Sequence, residues 1–181
     1  MYLSKKSYVK NWLHMHPSEL HEITVKKGGD IVKSIKPERI SYIVEEVGYW
    51  RKFNALHGWF VNNCQDGVDN CQESYVSMEK LKEILGILKQ VKEVLDGSPK
   101  KTTSVVSGWK MNNGITTETH QDIEVFTDVD KVNELFPTST GFFFGGTEID
   151  EWYKQDVENT ITIFEELLAE EPSDYYYCSS W

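Results

Sequence analysis

The sequence predicts an α+β fold in which three principal helices pack with a small antiparallel sheet. Three observations carry that expectation. A clean apolar stripe at helical spacing runs from Met78 to Leu95. β-Branched and aromatic runs stand at both ends of the chain, and two short β-like runs meet at the glycine pair Gly28-Gly29. At 181 residues the chain reads most economically as one domain, 1–181, long enough to bury a sizeable core.

The elements follow in order. "KSYVKNW" has β-branched and aromatic residues without a helical stripe and reads as a strand. "HEITVKKGGDIVKSI" reads as a hairpin, because glycine accepts the positive φ of a two-residue turn. Pro37 and Glu38 suit a helix start, so the first helix is expected from Pro37 to Asn63. At 100° per residue, Ile43, Val47, Trp50, Asn54, His57 and Val61 form one stripe, with Tyr42, Tyr49, Phe53, Leu56 and Phe60 beside it.

"CQDGVDNCQESYV" breaks the pattern as a loop. Ser77 then caps the second helix, whose stripe is Met78, Leu81, Ile84, Leu85, Leu88, Val91 and Leu95, and Gly97 and Pro99 stop it. Residues 98–136 are polar and glycine-broken, and read either as a small hairpin or as a partly mobile insertion. "TGFFFGG" reads as a buried strand or an extended wall. "TEID" matches a capping box with Thr147 as cap and Asp150 reaching back. The third helix then faces Ile149, Trp152, Tyr153, Val157, Thr160, Ile161, Phe164 and Leu168 inward, and Pro172 ends it. The tail "DYYYCSSW" is too aromatic for a solvated terminus, and is expected to dock as an edge strand on this molecule or a neighbour.

The formal net charge of −10 argues against a protein that coats DNA or RNA, whose phosphates need a basic surface. A small anion needs only two or three local cations and stays open. No stretch has the apolar length of a membrane span, and "MYLSKKSYVKNW" lacks the apolar core of a signal peptide. The three cysteines form no CxxC pair, which points to free thiols in a reducing cytoplasm and to no zinc site. Aromatic residues make up 13% of the chain, and such surfaces are enriched at interfaces, so a homo-oligomer is expected.

"YWRKFNALHGWFVNN" holds the densest chemistry. Asn54 and His57 interrupt an apolar stripe, Arg51 stands beside them, and Trp50 and Trp59 offer ring faces. Arginine forks bind phosphate, amides read base edges, and aromatics stack on bases. Equally, Asn54 and His57 fit core polar groups satisfied by internal hydrogen bonds, with Arg51 paired to a carboxylate. His14, His16 and His21 have no ligand spacing and read as surface residues, so no metal is expected. Cys64 lies two helical turns from His57, too far for a dyad. No phosphate-cradling loop, "GxSxG" or "HExxH" is present, and Gly145-Gly146 precedes a helix end already capped. No catalytic signature and no cofactor are expected.

The blocks "YVKNW", "ISYIVEEVGYWRKFNALHGWFV", "GFFFGG" followed by "DEWY", and "YYYCSSW" together resemble a widespread family of small tailed-phage proteins. The family pattern has alanine at the position of Phe53 and aspartate at that of Leu13. The resemblance implies a phage accessory protein acting in the host cytoplasm. The chain is also similar to phage proteins that counter nucleotide-signalling immunity, among them the anti-CBASS sponges, which enclose cyclic oligonucleotides without cleaving them.

The leading expectation is therefore sequestration of a small nucleotide signal. Trp50, Arg51, Asn54 and His57 are its core residues, with Tyr153 and Trp181 as outer candidates. A nucleotide-degrading enzyme using His57 as acid and base is the first alternative. A protein that blocks a host protein through its acidic, aromatic surface is the second.

Overall fold

The computed structural model describes residues 1–112, 115–141 and 146–180. The fold is α+β. Strand β1 (Tyr2–Tyr8) leads to the short hairpin β2 (Lys26–Lys27) and β3 (Asp30–Ile31), which turns at Gly28 and Gly29, both at positive φ. Strand β4 (Tyr42–Tyr49) and helix α1 (Asn54–Cys64) follow, then β5 (Ser74–Val76) and α2 (Met78–Gly97). The long hairpin β6 (Lys100–Asn112) and β7 (Ile115–Phe126) precedes α3 (Val129–Leu135), α4 (Glu151–Ala169) and β8 (Asp174–Cys178).

The main sheet has the order β4-β1-β8-β5, with every neighbouring pair antiparallel. Alternation gives it two unlike faces. Leu3, Val76, Tyr175 and Tyr177 point inward and are fully buried in the core with residues of α1, α2 and α4. The opposite face carries Tyr2, Tyr8, Tyr42, Tyr49, Tyr75 and Tyr176, six of the chain's nine tyrosines. Lys6 lies among them, its Nζ 3.8 Å from the Tyr176 ring centroid and 2.6 Å from the Glu73 carboxylate.

Helix α2 follows the sequence expectation. Ser77 caps it through the Lys80 N–H, and Leu81, Ile84, Leu88, Val91 and Leu95 are buried on one stripe. Each such side chain contributes roughly 2 kcal/mol by leaving water. Helix α4 packs against it, and Lys89–Glu165, Lys92–Glu158 and Lys154–Asp96 bridge the exposed seam. Pairs this exposed add little stability.

Several expectations are corrected. The helix expected over 37–63 is three elements: a 3-10 turn at Pro37–Arg39, strand β4 and the shorter α1. The run from Tyr42 to Tyr49 satisfies a helical stripe, but its residues are largely β-branched and aromatic, and pairing with β1 favours the strand. The register shifts between Leu3 and Ser4, leaving Val47 without a partner. The tail is an inner strand, not an edge, because β8 sits between β1 and β5. Residues 98–136 form the β6–β7 hairpin and α3. Asp150, not Thr147, caps α4: its side chain accepts the Tyr153 N–H. Most of "TGFFFGG" (142–145), like Trp181, lies outside the described residues.

Candidate functional site

The site is built at the bend that joins β4 to α1. Beyond Tyr49 the chain turns Trp50 inward, and its Nε1–H donates to Thr160 Oγ1 at 2.8 Å. The ring meets Phe164 edge-on at 6.0 Å and covers Gly48, where any Cβ would strike it. Trp50 is thus a core residue, and its position forces the next two outward. Lys52 has φ of 65°, the left-handed region that costs a non-glycine residue about 1 kcal/mol. That turn leaves the Arg51 and Lys52 side chains exposed. Among the described residues neither forms an ion pair.

Asn54 opens α1 and is buried. Its Nδ2 donates to the Gly146 carbonyl at 2.7 Å, and its Oδ1 accepts the Ser139 N–H at 3.2 Å. One amide therefore ties both the 139 and 146 segments to the helix start. Phe53 packs edge-on against Phe136 and Tyr153, at 5.8 and 5.6 Å between centroids. The Tyr153 hydroxyl donates to the Phe136 carbonyl at 3.0 Å, and burial pushes its phenol pKa upward.

A cleft of about 200 Å³ opens over these groups. Arg51 and Lys52 form one side, with Phe53, Asn54 and Tyr153 among its lining. Glu148, Asp150, Trp152 and Asp156 line it from the α4 side. Burial, helped by the Asp150 charge, raises the Asp156 carboxyl to about 6. Near neutral pH a fraction of it still holds its proton, so it can donate as well as accept. Trp152, expected to face inward, is 76% exposed and presents a ring at the cleft. It shares a helix face with Asp156, four residues on, and not with Tyr153 and Val157. The cleft can accept an anion at its cationic side, a flat ring at Trp152 and hydrogen-bond donors at its carboxylates.

Of the sequence-derived candidates, Arg51, Asn54 and Tyr153 come together here. His57 does not. It is 2% exposed, with Nδ1 2.7 Å from the Tyr177 hydroxyl and Nε2 3.1 Å from Asp69 Oδ2. Its place in the core is that of a satisfied polar group, as the alternative reading of the stripe has it. Trp181 lies outside the described residues. Burial raises the Cys64 thiol to about 11, which keeps it protonated. Lys52, Glu148, Asp150, Trp152 and Asp156 were missing from the sequence-derived set. The available signal was the polar i, i+4 pairing of Trp152 with Asp156.

Among the described residues no group of three or more His, Cys, Asp or Glu side chains could hold a metal ion. Among them, too, no helix is long and apolar enough to cross a membrane. Comparisons with family models, with curated proteins and with solved structures find no match to the chain.

Proposed function

We propose that the protein captures a small nucleotide in the cleft between the 51–54 bend and the start of α4, and leaves it intact. The observation that supports this most is the pair of adjacent exposed cations, Arg51 and Lys52, held beside the Trp152 ring at one cleft. A guanidinium fork takes a phosphate in two parallel hydrogen bonds, and an indole face takes a base. The acidic side opposes a second phosphate but suits the amino and ring N–H donors of a base. A nucleotide with its phosphate at Arg51 and an amino-bearing base towards Asp150 and Asp156 satisfies both sides.

The volume bears on ligand size. About 200 Å³ lies below the roughly 300–1,000 Å³ of sites that enclose drug-sized ligands. One nucleotide unit suits the cleft, and a cyclic oligonucleotide would need clefts from more than one copy. In this reading the protein is a phage accessory factor that sequesters a nucleotide signal in the host cytoplasm. The burial of His57 weighs against its use as the acid and base of a nucleotide-degrading enzyme.

The test is calorimetry with a panel of mononucleotides, linear dinucleotides and cyclic di- and trinucleotides, followed by denaturation and analysis of the released ligand. Binding with intact recovery supports capture. Recovery of product shows an enzyme, and no binding across the panel overturns the reading.

A further inference from the structure

The open face of the main sheet is a feature that the cleft leaves unused. Tyr8, Tyr42, Tyr49 and Tyr75 on it are 49–59% exposed, and Val44 is 52% exposed between them. The rings come in cross-strand pairs: Tyr2–Tyr49 at one end of β1 and β4, Tyr8–Tyr42 at the other, and Tyr75–Tyr176 on the neighbouring strands. A half-exposed tyrosine offers roughly 100 Å², so Tyr8, Tyr42, Tyr49 and Tyr75 present on the order of 400 Å² to a partner, and Val44 adds to it. A standard interface takes roughly 800 Å² from each side. These side chains alone therefore supply about half of one, with the rest of the face around them.

We propose that this face is where two copies of the chain associate, sheet against sheet. The pairing register supplies the argument. Counting along the strands from the Lys5–Glu45 pair, Lys6 stands one step to one side and Glu46 one step to the other. Both point to the open face, on neighbouring strands. A two-fold axis across the strands at Lys5–Glu45 exchanges the two directions. It sets the Tyr8–Tyr42 pair over the Tyr2–Tyr49 pair of the partner subunit. It also sets Lys6 over Ser4 of the partner subunit, level with Glu46 of the partner subunit one strand to the side and within reach of its long side chain, twice by symmetry. The face is self-complementary in shape class and in charge. Glu73 already neutralises Lys6 within one chain, so the patch has no surplus positive charge to draw a polynucleotide. Face-to-face sheets are a standard packing.

Sedimentation equilibrium of the full chain without nucleotide tests this, and its outcome is independent of whether the cleft binds a ligand. The parent is expected to dimerise. Lys6→Glu puts carboxylates at both of these neighbouring positions and Glu46→Lys puts cations at both, so each should weaken self-association by about tenfold or more. An equimolar mixture of the two variants should associate more tightly than either alone, because each then meets its opposite. Tyr8→Ser, at the rim of the face, should weaken the dimer without charge effects. Circular dichroism checks that the variants are folded, and rescue in the mixture itself requires folded partners. A monomeric parent overturns the proposal. So does a dimer indifferent to all three substitutions, or a mixture no tighter than its components; capture of a different protein by a monomeric parent would assign the face to that partner instead.

Discussion

His57 Nδ1 lies 2.7 Å from the Tyr177 hydroxyl, joining α1 to β8 across 120 residues of sequence inside the core. The other ring nitrogen meets Asp69, so the imidazole spans a strand and a loop. His57→Ala leaves both partners without it and opens a void. A loss of about 2–4 kcal/mol in unfolding free energy is expected. Urea unfolding monitored by fluorescence measures it. A neutral effect on stability would place this histidine outside the load of the core.

Arg51→Ala makes the opposite forecast. The side chain is exposed, so the melting temperature should move little, while affinity for a nucleotide falls by about 1.5–3 kcal/mol. The loss should shrink as salt rises. Unchanged calorimetric binding in this variant would move the ligand away from the cleft.

Lys52→Gly separates backbone from charge at the same bend. Glycine relieves the left-handed φ of 65° but frees the unfolded chain, so stability should stay within about 1 kcal/mol of the parent. Anion affinity should still fall with the lost cation. Thermal unfolding and binding on one preparation decide whether the bend serves the fold or the ligand.

Asp156 should make both stability and binding depend on pH. Its folded pKa of about 6 stands above the ordinary value of 3.8, so between these values the fold holds a proton that the unfolded chain releases. Stability from this group is therefore present on the acid side and is lost as pH rises through about 6. Asp156→Asn should be about 1 kcal/mol more stable than the parent near neutral pH, after allowance for its partial exposure, and equal to it in acid. Phosphate binding should strengthen as the same carboxyl gains its proton. Unfolding curves of both proteins across this range check the sign.

Removal of residues 174–181 should abolish folding rather than merely disturb assembly. β8 supplies Tyr175 and Tyr177 to the core and holds β1 and β5 on either side. Light scattering and circular dichroism of the truncated chain should show aggregated or unfolded material; a folded, soluble product would contradict the inner position of the strand.

How much of this was legible varies by element. The α2 stripe and its Ser77 cap follow from spacing and local hydrogen bonding alone, as does the turn at Gly28-Gly29. β4 was not legible as a strand, because Ile43, Val47 and Trp50 also satisfy helical spacing. What separates the two readings is pairing with β1, a contact some forty residues distant. The α4 cap was misplaced by three residues, since Thr147 and Asp150 are both good cap residues and only the backbone course chooses. At the site, Arg51 and Asn54 were visible because polar groups interrupt an apolar run. Spacing places Trp152 and Asp156 on one helix face, but their meeting with Arg51 across the cleft is set by tertiary folding, which no local window contains.

The first and last strands of the sheet are neighbours, with Tyr2 opposite Cys178 and Lys6 opposite Asp174. A ribosome making this chain must therefore deliver residues 174–178 before the sheet can close. Until residues 174–178 emerge, β1 has β4 on one side and an open edge on the other, and Leu3 lacks the Tyr177 ring that covers it in the sheet. Such an unfinished edge invites pairing with other nascent chains. Production of the protein should accordingly be sensitive to translation speed and to chaperone supply, well beyond what the stability of the finished fold would suggest.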